Sequence, residues 1–204
     1  MTIWAIVPVK PLRRGKSRLA GVLTEDQRAE LNSNLLKHTL SVLSTLSEWM
    51  QVLVVSRDPH ALAIARSYDA KTVQEDGQPH LNTALERATI ISQLNHTTQG
   101  VLILPADLPL LQRDDVLSLV ARSVNNLPVV VIAPDRRDNG TNALLTIPAG
   151  IIEYDYGEGS FQRHCERAKS VGAHLEIVKS FSLGLDLDLP EDLEMVQDLD
   201  IVKV

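Results

Sequence analysis

Short, nearly unbroken runs of branched aliphatic residues recur along this chain, separated by stretches of helical period. Ile3-Trp4-Ala5-Ile6-Val7, Val52-Leu53-Val54-Val55, Val101-Leu102-Ile103-Leu104 and Val129-Val130-Val131-Ile132-Ala133 all lack the polar alternation of a half-exposed strand. A strand that is apolar on both faces must be covered on both faces, as in a parallel sheet sandwiched between helices. The alternation therefore predicts a three-layer α/β/α domain with a mainly parallel sheet. With no repeat, low-complexity tract or linker visible, residues 1–204 read as a single domain.

The helical segments carry their own signals. Thr24 and Gln27 form a capping-box pattern, followed at helical spacing by Leu31, Leu35, Leu36, Val42, Leu43 and Leu46. Further helices are expected near His60 to Tyr68, Leu81 to Leu94, Arg113 to Val124 and from Ser160, with Pro190 opening the last. Lys71 to Gln74, Asn142 to Thr146 and His174 to Val178 complete the strands, and Asp76-Gly77 makes a turn.

Directly after the first strand comes Lys10-Pro11-Leu12-Arg13-Arg14-Gly15-Lys16-Ser17-Arg18, with five cations and no acid before Glu25, in a chain of formal net charge −6. Open α/β sheets bind ligands beyond the C-terminal ends of their strands, so cations concentrated there imply an anion, a polyphosphate above all. Gly15-Lys16-Ser17 imitates the end of a P-loop, but Lys10 stands where the first glycine belongs, and Gly21 and the Thr24 cap delay the helix. What remains is a loop that grips phosphate with side chains.

Three acids answer it. Asp107 follows the apolar strand that ends at Leu104, and Asp186 and Asp188 stand two apart in Gly184-Leu185-Asp186-Leu187-Asp188-Leu189-Pro190. Period-two spacing puts the latter pair on one face, where like charges call for a cation. Together the three form an all-oxygen set suited to one or two Mg²⁺, although Asp188 alone could instead cap the last helix.

Two polar turns, Asp138-Asn139-Gly140-Thr141-Asn142 and Tyr156-Gly157-Glu158-Gly159-Ser160, could bring N–H groups to a second anion, with Ser160 at a helix N-terminus. Asn82 has the donors and acceptor of a base reader, or of a helix cap. The lone Cys165 reads as a structural residue on a helix face, and His38, His60, His80, His96, His164 and His174 are scattered and read as structural or exposed.

In this order, these segments resemble the CofC/FbiD-type guanylyltransferase family, which makes the phospho-acid precursor of coenzyme F-420. The matching stretches run from Val7-Pro8-Val9-Lys10 and Lys16-Ser17-Arg18-Leu19-Ala20, through Asp76-Gly77 with Leu81-Asn82 and Leu102 to Leu111. They continue with Ala133-Pro134-Asp135, Gly140 to Leu144, Gly157 to Phe161 and Asp186 to Leu193. The resemblance implies a glycosyltransferase-A-like nucleotidyltransferase that joins GMP from GTP to phosphoenolpyruvate or 2-phospho-L-lactate and releases pyrophosphate. It puts Lys10, Lys16 and Arg18 around the triphosphate and Gly77 and Asn82 on the nucleotide. Asp107, Asp186 and Asp188 would lie on Mg²⁺, and Thr141, Gly157 and Ser160 on the acceptor. One departure is Asp138-Asn139, where the family pattern implies a glycine-richer turn.

The acceptor's phosphate is ionised near neutral pH, so no general base is needed, which fits the absence of a prominent His. A transferase acting on a sugar phosphate or a molybdopterin, or a non-catalytic nucleotide-binding module, remains the alternative. The net negative charge and 3% aromatics argue against nucleic-acid partners. No apolar stretch reaches the roughly 18 residues of a membrane span and no signal peptide is visible, so a cytoplasmic location is expected. A homodimer is left open.

Overall fold

A computed structural model describes residues 2–76, 80–123 and 127–203. Its element order is β1 (Thr2–Val9), a 3-10 turn (Ser17–Leu19), α1 (Glu25–Ser44), β2 (Met50–Ser56), α2 (Pro59–Ser67), β3 (Lys71–Gln74), α3 (Leu81–Gln93), β4 (Thr98–Ile103) and α4 (Arg113–Ala121). Then come β5 (Val129–Pro134), β6 (Thr141–Ile147), α5 (Ser160–Ser170), β7 (His174–Ile177), α6 (Phe181–Gly184), α7 (Pro190–Val196) and a 3-10 turn (Asp200–Val202). No helix among the described residues is long and apolar enough to cross a membrane.

The expected capping box opens α1, with Gln27 N–H donating to Thr24 Oγ1 and Thr24 N–H to Gln27 Oε1. Two features differ from expectation. A one-turn helix, α6, stands in the segment before Asp186, too short for any period to reveal. The 3-10 turn at Ser17 occupies part of the basic stretch that reads as loop. The Asp76-Gly77 turn and the Val124 end of the fourth helix lie outside the described residues.

Seven strands form one sheet in the order β3-β2-β1-β4-β6-β5-β7. All neighbours pair in parallel except β6, which runs antiparallel to both β4 and β5. The C-terminal ends of six strands and the N-terminal end of β6 thus lie along one edge. Core side chains of α1, α2 and α4 cover one face with Leu36, Leu40, Ala61, Leu62, Val116 and Leu119. Ala84, Leu85 and Ala88 of α3 and Cys165 and Ala168 of α5 cover the other, which places Cys165 as a packing residue.

A third, smaller apolar cluster decides where the functional segments meet. Leu19, Leu31, Leu35, Leu185, Leu187 and Val196 are all buried in it. Leu19 follows the last cation of the basic loop, and Leu185 and Leu187 flank Asp186. Burying these leucines in common, at about 1.5–3 kcal/mol each, draws two stretches more than 160 residues apart in sequence to the same strand-end edge.

Candidate active site

Each charged segment is fixed from behind before it offers a side chain. In the basic loop Asn32 of α1 donates to the Leu12 carbonyl at 2.7 Å, and the Leu12 N–H donates to Asp58 at 2.8 Å. A Cβ on Gly15 would fall 2.6 Å from Asn32 Nδ2, so only glycine allows this approach. Lys16 follows in the left-handed region at φ 54, a conformation costing about 1–2 kcal/mol for a residue with a Cβ. That turn sends its side chain inward.

The Lys16 ammonium, 6% exposed, lies 3.1 Å from Asp107 and 2.9 Å from Asp188. Burial alone would lower its pKa, and the two carboxylates outweigh burial and hold it above the ordinary lysine value. Asp107 is carried to the acid pair by its own backbone, since its carbonyl accepts from Leu187 N–H at 2.9 Å. Arg18 lies 3.9 Å from Asp188 and stays 68% exposed, free to swing toward a ligand. For Asp188, burial would raise the pKa, but Lys16, Lys10 and Arg18 together lower it. Lys10, Lys16, Arg18, Asp107, Asp186 and Asp188 are thus brought together.

Asp186 differs from its neighbours. Burial, Asp107 and Asp188 push its carboxyl up to about 6, against one hydrogen bond from Asn142 at 3.3 Å. The site holds more negative charge on this side than Lys16 neutralises. Among the described residues no group of three or more His, Cys, Asp or Glu side chains forms a ready-made metal cluster, because the Lys16 ammonium stands between Asp107 and Asp188. The under-compensated Asp186 beside Asp107, with oxygen donors alone, nevertheless fits a hard divalent cation.

A raised carboxylate pKa carries a stability sign. The native state holds the Asp186 proton between the unfolded value near 3.8 and about 6, so this group's contribution falls as pH rises through that window and is flat above it. In metal-free buffer Asp186→Asn should therefore gain stability over the parent from pH 4 to 6, to on the order of 2 kcal/mol at pH 7. Urea unfolding at several pH values checks this, and a pH-independent difference would refute it.

Sequence inspection overlooks the residues that aim the acids. Asp192, 2% exposed, accepts from the N–H groups of Asp188 and Leu189 at 2.9 and 2.7 Å and pairs with Arg136. Asp188 therefore does not cap the last helix: Leu189 is the N-cap residue and Asp192 supplies the capping carboxylate. The signal was present as an acid three residues after a helix start.

Asn142 is the second overlooked residue. Pairing of β5 with β6 matches Ala133 to Ala143 but Pro134 to Thr141, leaving Asn142 as the extra residue of a β-bulge. The bulge reverses the alternation at the end of β6. Asn142 turns toward α6 and donates to the Leu183 and Gly184 carbonyls and to Asp186. Thr141 turns the other way, where its Oγ1 lies 2.9 Å from His164 Nδ1 and 3.3 Å from Ser160 Oγ.

The remaining proposed positions line this second wall. The Asp138-Asn139 departure has a physical reason: Asp138 takes the positive-φ position at 54°, which Asp tolerates better than most residues. Asp135 accepts from the Arg137, Asn139 and Gly140 N–H groups, and a Cβ on Gly140 would meet its carboxylate at 2.8 Å. Asn139 then binds the Gly157–Ser160 loop through Gly159 N–H and Phe161 N–H. Because Ser160 N–H donates to Gly157 and Phe161 N–H to Asn139, two of the N–H groups expected to cradle an anion are already engaged. Asn82 is not free to read a base edge either: its amide clamps the Tyr156 main chain, accepting at 2.8 Å and donating at 3.4 Å. Gly77 lies outside the described residues.

A seven-stranded mixed sheet with cations after β1 and acids after β4 and before α7 defines a nucleotidyltransferase-like α/β protein. Among solved structures, a candidate nucleotide-diphospho-sugar transferase from Desulfovibrio desulfuricans superposes with a TM-score of 0.76 at 15% identity, over 97% of this chain and 87% of that one. The sequence is more specific. The family profile of CofC-like guanylyl transferases matches residues 3–197. The phosphoenolpyruvate guanylyltransferase of Rubrobacter xylanophilus is 38% identical over 97% of this chain and 94% of its own length. The 2-phospho-L-lactate guanylyltransferase of Methanocaldococcus infernus is 32% identical over 92% of this chain and 81% of its own. The chain belongs to the CofC-like guanylyltransferase family and is a nucleotidyltransferase.

Proposed function

We propose that this protein transfers GMP from GTP to phosphoenolpyruvate, with 2-phospho-L-lactate as the second candidate acceptor, and serves coenzyme F-420 biosynthesis. The carrying observation is the Lys16 ammonium set among Asp107, Asp188 and the nearby Asp186, a mixed-charge clamp at the strand ends. The 38% and 39% identity to phosphoenolpyruvate enzymes, against 32% and 33% to 2-phospho-L-lactate enzymes, favours the first acceptor.

An acceptor phosphate oxygen attacks the α-phosphorus of GTP in line, the new P–O bond forms as the bond to the β-phosphate bridge breaks, and pyrophosphate leaves. No proton has to move. The work is positioning and charge neutralisation. Lys10, Lys16 and Arg18 grip the triphosphate and stabilise the leaving group, and the wall of Thr141, Gly157 and Ser160 faces the acceptor. Asp107, Asp186 and Asp188 would hold Mg²⁺, which supplies Lewis-acid neutralisation of phosphate charge when bound.

An acceptor screen with GTP and Mg²⁺ tests the reading. Phosphoenolpyruvate should yield a guanosine product linked through a diphosphate, seen by mass, with one pyrophosphate per turnover. Consumption of a sugar phosphate in preference to either three-carbon acid, or equal use of CTP, would overturn it.

A further inference from the structure

His164 is wholly buried on α5 and sits against the acceptor wall through Thr141. Its two ring nitrogens have distinct partners. The Asp155 N–H donates to Nε2 at 3.0 Å, so Nε2 carries no proton. Burial, with Arg167 and Arg163 nearby, pushes the ring down to about 4 against the pull of Asp155, so it is neutral at ordinary pH. The ring proton is then on Nδ1 and is donated to Thr141 Oγ1 at 2.9 Å.

Counting protons gives the consequence. Nδ1–H and the hydroxyl protons of Thr141 and Ser160 meet in one knot. Thr141 accepts the ring proton, and one hydroxyl donates to the other across 3.3 Å. One hydroxyl proton is left with no acceptor among the described residues. With Thr141 5% and Ser160 1% exposed, bulk water serves it poorly. The opposite tautomer would present a lone pair to Thr141 and absorb that proton. Asp155 is held by Arg163 at 3.1 Å and Arg167 at 2.7 Å, which keeps its N–H aimed at Nε2 and the tautomer selected. The Tyr156 ring closes the remaining side, edge-on at 4.9 Å.

We propose that His164 is a positioning residue for the acceptor: by donating from Nδ1 to Thr141 it leaves the Thr141–Ser160 pair with one hydroxyl proton to give to an acceptor oxyanion. This rests on the reading of Thr141 and Ser160 as the acceptor wall. It makes that wall an obligate donor, and so selective for an anion over a neutral hydroxyl compound.

A double-mutant cycle separates the two levels. His164→Leu and Thr141→Val should each raise the KM for phosphoenolpyruvate roughly tenfold, the cost of one charge-assisted hydrogen bond, while the KM for GTP changes less than about twofold. The double variant should be no worse than either single one, because the histidine acts through the threonine. His164→Asn, whose amide N–H stands near the place of Nδ1–H, should recover part of the loss. An unchanged acceptor KM in Thr141→Val would overturn the acceptor wall itself. A raised KM there, with His164→Leu unchanged or with effects that multiply in the double variant, would overturn the positioning role alone. Should His164→Leu not fold, ¹⁵N NMR of the unaltered protein decides the tautomer, and an Nε2-protonated ring overturns the inference.

Discussion

Asp107→Ala should cut GTP-dependent pyrophosphate release by about a hundred- to a thousandfold, the usual scale for removing one fixed charge from a transferring phosphate. The expectation follows from where the carboxylate stands. It is one-third exposed, bound to Lys16 at 3.1 Å, and close enough to Asp186 to raise that group's pKa. Its loss removes an oxygen donor of the proposed cation site, and Lys16 keeps its contact with Asp188. The fold should survive, because the tie between Asp107 and Leu187 is made by the main chain. Thermal unfolding within a few degrees of the parent, together with the lost turnover, is the expected pair of results. Near-normal turnover would remove Asp107 from the chemistry.

The largest effect on stability is expected at Asp192. Its carboxylate is 3% exposed, pairs with Arg136, and accepts two main-chain N–H groups at the start of α7. Asp192→Ala leaves a half-buried guanidinium and two donors without an acceptor, a change that costs about 3–5 kcal/mol for a buried pair. Partial exposure of Arg136 places the expectation at the lower end, about 3 kcal/mol. Activity should fall as well, since Asp188 loses the contact that orients it. Urea unfolding measures the first effect, and a loss below about 1 kcal/mol would show that solvent replaces the pair.

The strands and helices were legible because burial on both faces leaves a compositional mark. Val101 to Leu104 and Val129 to Ala133 could only be interior strands, and Thr24 with Gln27 could only begin a helix. The reversal of β6 was not legible. An antiparallel strand between two covered faces is as apolar as its parallel neighbours, and all seven residues of Thr141–Ile147 are buried. The bulge at Asn142 was hidden for a related reason: it changes which way two polar residues point without changing what they are.

At the site the sequence supplied charge and spacing. Five cations after β1, Asp107 after β4, and two acids two residues apart already implied a polyphosphate and a cation, whatever the fold around them. Partnership was decided only in three dimensions. Local spacing cannot say that Lys16 reaches Asp188 across 172 positions; the shared leucine cluster around Leu19, Leu185 and Leu187 does that. Nor can it say that Asn82 is spent on Tyr156, or that His164, unremarkable in sequence, meets Thr141 and so sets the direction of a hydrogen bond. Composition and period are properties of neighbours along the chain. Hydrogen-bond direction and ion pairing belong to neighbours in space, and only the packed sheet edge brings those together.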